Sequence, residues 1–330
     1  MPLAGASGAA VPAADWVVLL LSPWVLALLG LCVGSFLNVV VHRLPMMYMR
    51  GWWAFDIADF ALSDKRSWRS AFGAKAEPPV ELAAAAAAIN RQIEAGAPLS
   101  LMSPRSRCPH CGHQLRVSEN VPILSWLALR GRCSACKAPI GLRYPLVEGA
   151  TALIFACAAV VHGTSWQTLI ACTAVALLIA MALIDLDYTL LPDSLTIPLV
   201  VIGLAAAAAG VSVVPWRDAA IGALAGYGVL WALGATWAVL FRKPNAMAEG
   251  DMKMLAGLGA LLGWQALPGI LLVSAGVGSV IGIGLIALRK HRRETPIPFG
   301  PYLALAGLAA LLMRGRFVNL AEDMLPFLGA

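Results

Sequence analysis

The sequence predicts an all-α polytopic membrane protein with about eight transmembrane segments and a cytoplasmic, zinc-binding loop domain. Hydrophobic residues make up 60% of its 330 residues, charged residues only 13%, and the mean hydropathy is +0.78. A soluble domain carries roughly 25% charged residues, and a helix that crosses a bilayer needs about 20 apolar residues. Several apolar runs reach that length, which argues against a water-soluble enzyme.

The first apolar run, residues 16–41, predicts the first transmembrane segment, and it is long enough to be retained rather than cleaved as a signal peptide. Gly30, Gly34 and Ser35 are small residues that suit close helix packing within it. The run ends at His42-Arg43-Leu44-Pro45, where charge and proline indicate its exit from lipid.

Residues 42–143 form a polar segment that carries 14 of the chain's 24 Lys and Arg residues. This basic excess places the segment in the cytoplasm, because cytoplasmic loops of membrane proteins are enriched in Lys and Arg. Within it, the Ala-rich stretch from Val80 to Glu94 predicts a helix. The rest of an insertion at 46–103 has no pattern to which a chemistry can be assigned.

Seven further apolar runs follow the loop, and one of them, 252–263, is too short to span in a straight, untilted form. The alternation of sides puts the connections at 186–193, 241–251 and 289–298 in the cytoplasm, where most of the remaining basic residues lie. The predicted domains are a first transmembrane segment (1–41), a loop domain (42–143) and a membrane-embedded domain (144–330). The seven runs are 145–162, 167–185, 194–214, 218–240, 252–263, 267–288 and 299–313.

Four of the seven cysteines form the pairs Cys108-Pro-His-Cys111 and Cys133-Ser-Ala-Cys136, with 21 residues between them. Two such pairs can supply four thiolates in a tetrahedron, the closed geometry of structural zinc, and a cytoplasmic location keeps the thiols reduced. Gly112 and Lys137 directly follow the pairs, where a turn can aim backbone N–H groups at sulfur. The sequence therefore predicts a zinc site made of Cys108, Cys111, Cys133 and Cys136.

Two alternatives to this four-cysteine site remain open from the sequence alone. The loop could be redox-active or unliganded, and His110 or His113 could replace one cysteine as a ligand. The three single cysteines, Cys32, Cys157 and Cys172, lie in apolar runs and are expected to be small core residues.

Carboxylates lie at the ends of two apolar runs, where an unpaired charge is expensive. Asp185 is the deepest of three aspartates near the end of one run, and Asp251 begins another. Asp187 is expected to point elsewhere, and Asp193, after Pro192, suits a helix N-cap. Ionisable residues at membrane depth are functional candidates by default, although a solvated helix-end carboxylate is the alternative.

The predicted topology brings Asp185 and Asp251 to the same, cytoplasmic face. Two carboxylates held together cannot both ionise cheaply, so one keeps a proton while the other acts as a base. Peptide hydrolysis needs such a pair, because one group activates water and the other hydrogen-bonds the carbonyl. An aspartyl peptidase is predicted. A transporter that uses both aspartates for ion coupling is the alternative, disfavoured by the lack of an internal hydropathy repeat.

Eight short segments, in this order along the chain, carry a resemblance to a known family. The sequence resembles the bacterial type IV prepilin peptidases, GxGD-type aspartyl proteases that serve pili and type II secretion as leader peptidase and N-methyltransferase. The matching segments are Gly34-Ser-Phe-Leu-Asn-Val-Val-Val-His-Arg-Leu-Pro45, Ser106-Arg-Cys-Pro-His-Cys-Gly112, Glu119-Asn-Val-Pro-Ile-Leu-Ser-Trp126, Arg130-Gly-Arg-Cys-Ser-Ala-Cys136, Arg143-Tyr-Pro-Leu-Val-Glu148, Ile184-Asp-Leu-Asp187 through Leu191-Pro-Asp193, Gly250-Asp-Met-Lys253 and Ile297-Pro-Phe-Gly-Pro301.

The resemblance implies that Asp185, which opens an Asp-(x)6-Pro-Asp motif, and Asp251, in a Gly-x-Gly-Asp motif, are catalytic. It also implies that the four cysteines bind zinc. The expected reaction is cleavage of the short basic leader of a type IV prepilin or pseudopilin at the cytoplasmic side of the bacterial inner membrane. Methylation of the new amino group with S-adenosylmethionine would follow. The expected partners are this substrate and membrane lipid, with no nucleic acid.

Three points of the resemblance stay open in the sequence. The Gly-x-Gly-Asp motif reads Ala248-Glu249-Gly250-Asp251, and alanine fits its first position if φ is negative there. No Gly-rich strand–turn–helix signature marks a site for the methyl donor, so its binding residues are unknown. A relative that lacks one of the two activities is a further alternative.

Glu148 and Arg143 are expected to orient the loop domain.

Overall fold

The computed structural model describes residues 15–52, 80–96, 99–242, 247–288 and 298–324, and regular structure within these ranges is helical. Two single-residue bridges in the cysteine region are the described exceptions. The helices are α1 (Asp15–Leu20), α2 (Pro23–Trp52), α3 (Val80–Ala95), α4 (Leu124–Ala128), α5 (Arg143–His162), α6 (Trp166–Tyr188), α7 (Asp193–Ala208), α8 (Trp216–Phe241), α9 (Glu249–Leu262), α10 (Leu267–Ala287), α11 (Gly300–Leu312) and α12 (Arg314–Met324).

Five described helices are long and apolar enough to cross a membrane: α2, α5, α6, α8, and α10 together with the turn before it. The pair α11 and α12 makes a sixth if it counts as one span, although the two helices meet at a bend of 111°. Helices cover each of the eight predicted segments, the first of them as α1 and α2 with a break at residues 21–22, so the all-α membrane fold is confirmed. Helix α7, with 16 residues, and α9, with 14, are shorter than the bilayer requires.

Helix α2 continues beyond the predicted end of its apolar run, through Pro45 to Trp52. The charge at Arg43 does not end the helix, because the side chain is buried against the loop rather than exposed to water. Its guanidinium donates to the carbonyl oxygens of Ser100, Leu101 and Pro104 at 3.0, 3.3 and 2.6 Å. Arg43 therefore ties the loop domain to α2.

The predicted small-residue face of α2 packs directly on α5. A Cβ atom at Gly30 would lie 2.6 Å from Ala152 Cα, and one at Gly34 would lie 2.7 Å from Glu148 Cα. The packing role predicted for these two glycines is confirmed. Because α2 and α5 flank the loop domain in sequence, their close contact fixes both ends of that domain.

The loop domain contains the helix predicted from its Ala-rich stretch, now α3. Residues 53–79 of the 46–103 insertion lie outside the described residues, as do the basic residues at 243 and 289–293.

Helix α9 lies at the centre of the membrane-embedded part. Its residues from Asp251 to Leu262 are buried almost without exception. Gly259 and Gly222 bring the backbones of α9 and α8 together, and Gly203 of α7 would place a Cβ 2.7 Å from that of Ala260. A helix enclosed on all sides by protein does not have to match the bilayer thickness, which accounts for its short apolar run.

Candidate active site and metal centre

Asp185 lies in the last turn of α6 and is 6% exposed. The helix ends three residues later, at Tyr188. The next residue, Thr189, adopts a left-handed conformation, and its N–H donates to the Asp185 carbonyl oxygen at 2.9 Å. The side-chain Oδ2 accepts the backbone N–H of Gly300, the first residue of α11, at 3.0 Å. The carboxylate is thus held at the start of another helix, where the macrodipole favours negative charge.

Asp251 lies in the first turn of α9 and is also 6% exposed. Its Oδ1 is buried and has no hydrogen-bond partner among the described residues. It lies within electrostatic range of Asp185. The structure therefore brings together the two aspartates that the sequence singled out.

Leu191, in the connection between α6 and α7, lies beside Gly250, which precedes Asp251, and beside Gly300, whose N–H binds Asp185. A Cβ atom at Gly250 would collide with Leu191 Cβ, and one at Gly300 would lie 2.7 Å from Asp185 Oδ2 and 3.3 Å from Leu191 Cδ1. Glycine is needed at both positions because neighbouring atoms leave no room for a Cβ, and not because the backbone there has a positive φ. Any side chain at either position would push the segments apart.

The other carboxylates of this region all have cationic partners. Asp187 pairs with Arg143 at 2.7 Å, and Lys253 pairs with Asp193 at 2.8 Å and with Glu249 at 2.9 Å. No described cation pairs with either of the two buried aspartates. The lack of a described cationic partner distinguishes Asp185 and Asp251 from the nearby carboxylates. From the sequence alone, the aspartates near the end of α6 could be ranked only by their depth in the apolar run.

One detail of the sequence interpretation is wrong. The N-cap of α7 is Pro192 rather than Asp193, whose carboxylate instead binds Lys253.

Ala248, which replaces the first glycine of the Gly-x-Gly-Asp motif, is the N-cap of α9 with φ −72° and ψ 137°. This is extended backbone that alanine adopts without strain. The substitution therefore leaves the geometry of the Asp251 turn intact.

We expect Ala248→Gly to change the rate of the peptide cleavage that the resemblance implies by less than about twofold, because the backbone angles at this position suit alanine as well as glycine. Cleavage rate and thermal unfolding of the purified variant check this. A gain of tenfold or more would mean that alanine distorts the active site.

The four cysteines of the loop domain form a compact group in which all four sulfur atoms lie within 4.8 Å of one another. Cys108 Sγ is 3.8 Å from Cys136 Sγ, and Cys111 Sγ is 4.0 Å from Cys133 Sγ. A tetrahedral zinc with Zn–S bonds of about 2.3 Å has sulfur–sulfur edges of about 3.8 Å. The four thiols are thus grouped closely enough to hold a metal ion such as zinc.

Backbone geometry prepares these thiols for a metal. Gly112 and Lys137 have φ values of 71° and 61°, the turns expected after each pair. The N–H groups of Cys111 and His110 point at Cys108 Sγ and lower its pKa to about 7, and the N–H groups of Cys136 and Ala135 lower the pKa of Cys133. Burial and the neighbouring thiols instead raise the pKa of Cys111 to about 11. A lower pKa favours the thiolate, which is the form that binds metal.

His113 is not part of this group. Its Nε2 lies 3.2 Å from Glu119 Oε2, and the same carboxylate accepts the backbone N–H of Arg116 at 2.8 Å, which lowers the pKa of Glu119 to about 2. His113 therefore holds the loop rather than replacing a cysteine.

Two residues matter more than the sequence suggested. Gly300 lies in the Ile297-Pro-Phe-Gly-Pro301 segment, which matched the family but received no role. Glu148, expected to orient the loop, is buried in α5 and accepts the N–H of Ile123 at 2.7 Å. The sequence pointed to Gly300 only through its place in a matching segment. Its role, donating a hydrogen bond of 3.0 Å to Asp185 Oδ2, is visible only in the structure.

The fold and the site together define a polytopic membrane protein with a buried aspartate pair and a four-cysteine centre able to bind metal. The description "Bacterial Peptidase A24 N-terminal domain" matches residues 28–162, and "Type IV leader peptidase family" matches residues 172–283. No solved structure matches the chain.

Curated relatives that carry the name "Prepilin leader peptidase/N-methyltransferase" cover most of the chain. The relative from Aeromonas hydrophila is 48% identical over 294 residues, 88% of this chain and 91% of its own length. Those from Stutzerimonas stutzeri and Pseudomonas aeruginosa are 45% identical over 86% of this chain and 88% of their own length. The chain belongs to the type IV leader peptidase family.

Proposed function

We propose that the protein is a membrane aspartyl endopeptidase that removes the leader of type IV prepilins or pseudopilins, and then N-methylates the new N-terminal residue. The observation that carries the peptidase half is the pair of buried aspartates, 6% exposed each and without a described cation partner, at the ends of α6 and α9. The relatives named for both activities support the whole reaction.

The aspartate pair performs the hydrolysis. One carboxylate takes a proton from water as the water oxygen attacks the scissile carbonyl carbon, and the other, protonated carboxyl hydrogen-bonds the carbonyl oxygen. The departing amine then takes a proton as the C–N bond breaks. Gly300 N–H holds Asp185 in one orientation, and the unpartnered Oδ1 of Asp251 is free to bind water or substrate.

The substrate's position follows from the ends of these helices. A prepilin helix that lies in the bilayer of the inner membrane presents its basic leader to the cytoplasm. The basic loop domain supports a cytoplasmic location for the adjoining ends of α2 and α5, and α6 returns the chain to that side. The scissile bond then arrives level with Asp185 and Asp251.

We propose that the four cysteines hold one structural zinc. The tetrahedral sulfur arrangement uses all four thiols, so no coordination position remains for a substrate. The ion would join the two halves of the loop domain, while Arg43 and Glu148 attach that domain to α2 and α5.

We expect about one zinc per chain in the wild-type protein and its loss in Cys108→Ser, because a closed site needs all four ligands. Metal analysis of the purified proteins measures this. Cys32→Ser is the matched control, since Cys32 lies on the membrane-exposed surface of α2 and should leave the metal content unchanged. Wild-type protein without metal would exclude the zinc site.

A transporter and a relative with a single activity are the rival functions. In detergent, away from any vesicle, the purified protein should still shorten a purified prepilin, because hydrolysis needs no second compartment. A transporter would leave the prepilin intact and instead take up a substrate into vesicles in an ion-dependent way. Full-length prepilin after prolonged incubation would therefore overturn the peptidase half of the proposal.

A further inference from the structure

The loop domain exposes a group of large apolar side chains, although its sequence predicts a water-exposed segment. Met102, Val117, Leu124 and Leu127 are between 58% and 84% exposed, and we call these four residues the apolar patch. The helical turn that begins at Val117 packs on α4, which carries the two leucines. Contiguous apolar surface of this kind marks a contact with another molecule or with a membrane.

The register of α2 against α5 shows how deep this part of the loop domain lies. A Cβ atom at Gly34 would lie 2.7 Å from Glu148 Cα, and Asn38 Nδ2 donates to the Tyr144 carbonyl oxygen at 3.3 Å. The two helices are therefore antiparallel, with Gly34 level with Glu148. Seven residues separate Gly34 from the end of the apolar run at Val41, a rise of about 10 Å.

Ile123, the residue before α4, is attached close to this depth. Its N–H donates to Glu148 Oε2 at 2.7 Å, and its Cδ1 would lie 3.7 Å from a Cβ atom at Gly149. Because helical side chains point toward the helix N-terminus, Glu148 reaches back toward the start of α5. The start of α4 therefore lies inside the end of the apolar run, in the zone where acyl chains give way to headgroups.

A cleft between α2 and residues 101–122 leads to the same depth. Phe36 and Val39 form its wall on α2, within the apolar run, and Met102 and Val117 of the apolar patch line its other side. This part of the loop domain is thus level with the last two turns of a membrane-spanning run. At that level the neighbour of an exposed side chain is lipid.

The charges beside the apolar patch suit a phospholipid surface. Arg105 and Arg116 are exposed and line the same cleft, and no carboxylate is among its lining residues. Arginine forms strong, charge-assisted hydrogen bonds with phosphate groups. Apolar side chains bordered by basic ones are typical of an element that lies in the plane of the membrane interface.

We propose that residues 117–128 insert into the membrane leaflet on the loop domain's side, with Arg105 and Arg116 bound to phospholipid headgroups. The loop domain then has an interfacial attachment to lipid beside the spans α2 and α5. The insertion holds the four-cysteine centre at the membrane surface. Asp185 lies on the same side, since Arg143 at the start of α5 pairs with Asp187 in the last turn of α6.

The test uses the wild-type protein in nanodiscs of phosphatidylethanolamine and phosphatidylglycerol that also contain a phospholipid with a photoactivatable diazirine in its acyl chain. After irradiation, peptide mass spectrometry locates the labelled residues. Residues 117–128 should be labelled as the exposed surfaces of α2 and α5 are. Residues 130–139, around the second cysteine pair, should carry about tenfold less label, because only an inserted element reaches the acyl chains.

Leu124→Glu combined with Leu127→Glu should lower the labelling of residues 117–128 by about fivefold or more, because carboxylates are expensive among acyl chains. Both leucines are exposed, so folding is not at risk, and thermal unfolding checks this. Arg132→Glu, at an exposed position of the same domain outside the cleft, is the control and should be labelled as the wild-type protein is.

Three results would overturn the insertion. One is the absence of label from residues 117–128 while α2 and α5 are labelled, and another is unchanged labelling in the double glutamate variant. The third is label that disappears when a prepilin is added, since the apolar patch would then be a docking surface for the substrate. The measurement needs no enzymatic activity, so its result is independent of the proposed function.

Discussion

Replacing Asp185 or Asp251 by asparagine should reduce leader cleavage by roughly a hundredfold to ten-thousandfold, the contribution typical of a group that transfers a proton in the transition state. Asparagine has nearly the shape of aspartate but can neither accept nor supply that proton. Removing a buried charge does not threaten folding, so both variants should insert and unfold as the wild-type protein does. Initial rates with a purified prepilin, and thermal unfolding in the same detergent, measure the two effects.

Asp187→Asn and Asp193→Asn are the matched controls, because they make the same change at neighbouring positions, in the last turn of α6 and at the start of α7. Their carboxylates pair with Arg143 and Lys253 at the surface, where ion pairs contribute about 0–1 kcal/mol. These variants should keep most of the activity. If one of them lost as much as Asp185→Asn while Asp251→Asn remained active, the pair would be wrongly assigned.

Gly300→Ala should have the second-largest effect. The added Cβ would lie 2.7 Å from Asp185 Oδ2, so the carboxylate or the start of α11 must move. A displacement of about 1 Å at a reacting group can cost about a hundredfold in rate. The displacement also breaks the hydrogen bond from the Gly300 N–H to Asp185 Oδ2. Because this bond orients a reacting carboxylate and not the bound substrate, kcat should fall more than KM rises.

Gly276→Ala in α10 controls for a helical glycine in the membrane, since a Cβ there meets nothing within 4 Å. It should cleave as the wild-type protein does. Gly250→Ala should behave like the Gly300 variant, because its Cβ would collide with Leu191. Full activity of both crowded variants would show that the contacts around Leu191 do not position the aspartates.

The helices and the metal centre follow closely from the sequence because local rules determine them. The apolar runs predicted where the helices lie, although only five or six of the described helices are long enough to cross a membrane. The Cys-x-x-Cys spacing predicted that the four thiols form one group. The turns at Gly112 and Lys137 were also expected, since a knuckle needs a residue that turns the chain back toward its sulfur atoms.

The surroundings of the aspartates could not be predicted in the same way, because they depend on contacts distant in the chain. Gly300 is 115 residues from Asp185, and Arg143 reaches Asp187 across 44. Nor does composition reveal that α9 is enclosed by protein, or that Arg43 turns away from water and lets α2 continue. The sequence singled out the two candidate aspartates, whereas only the fold shows which carboxylates of this region have cationic partners.

The most direct test is mass spectrometry of one purified prepilin after incubation with S-adenosylmethionine and either the wild-type protein or one asparagine variant. The wild-type protein should yield a single product that lacks the leader and carries one added methyl group. Asp185→Asn and Asp251→Asn should return the prepilin with its leader intact. A leaderless product from either variant would contradict the assignment of the buried aspartate pair.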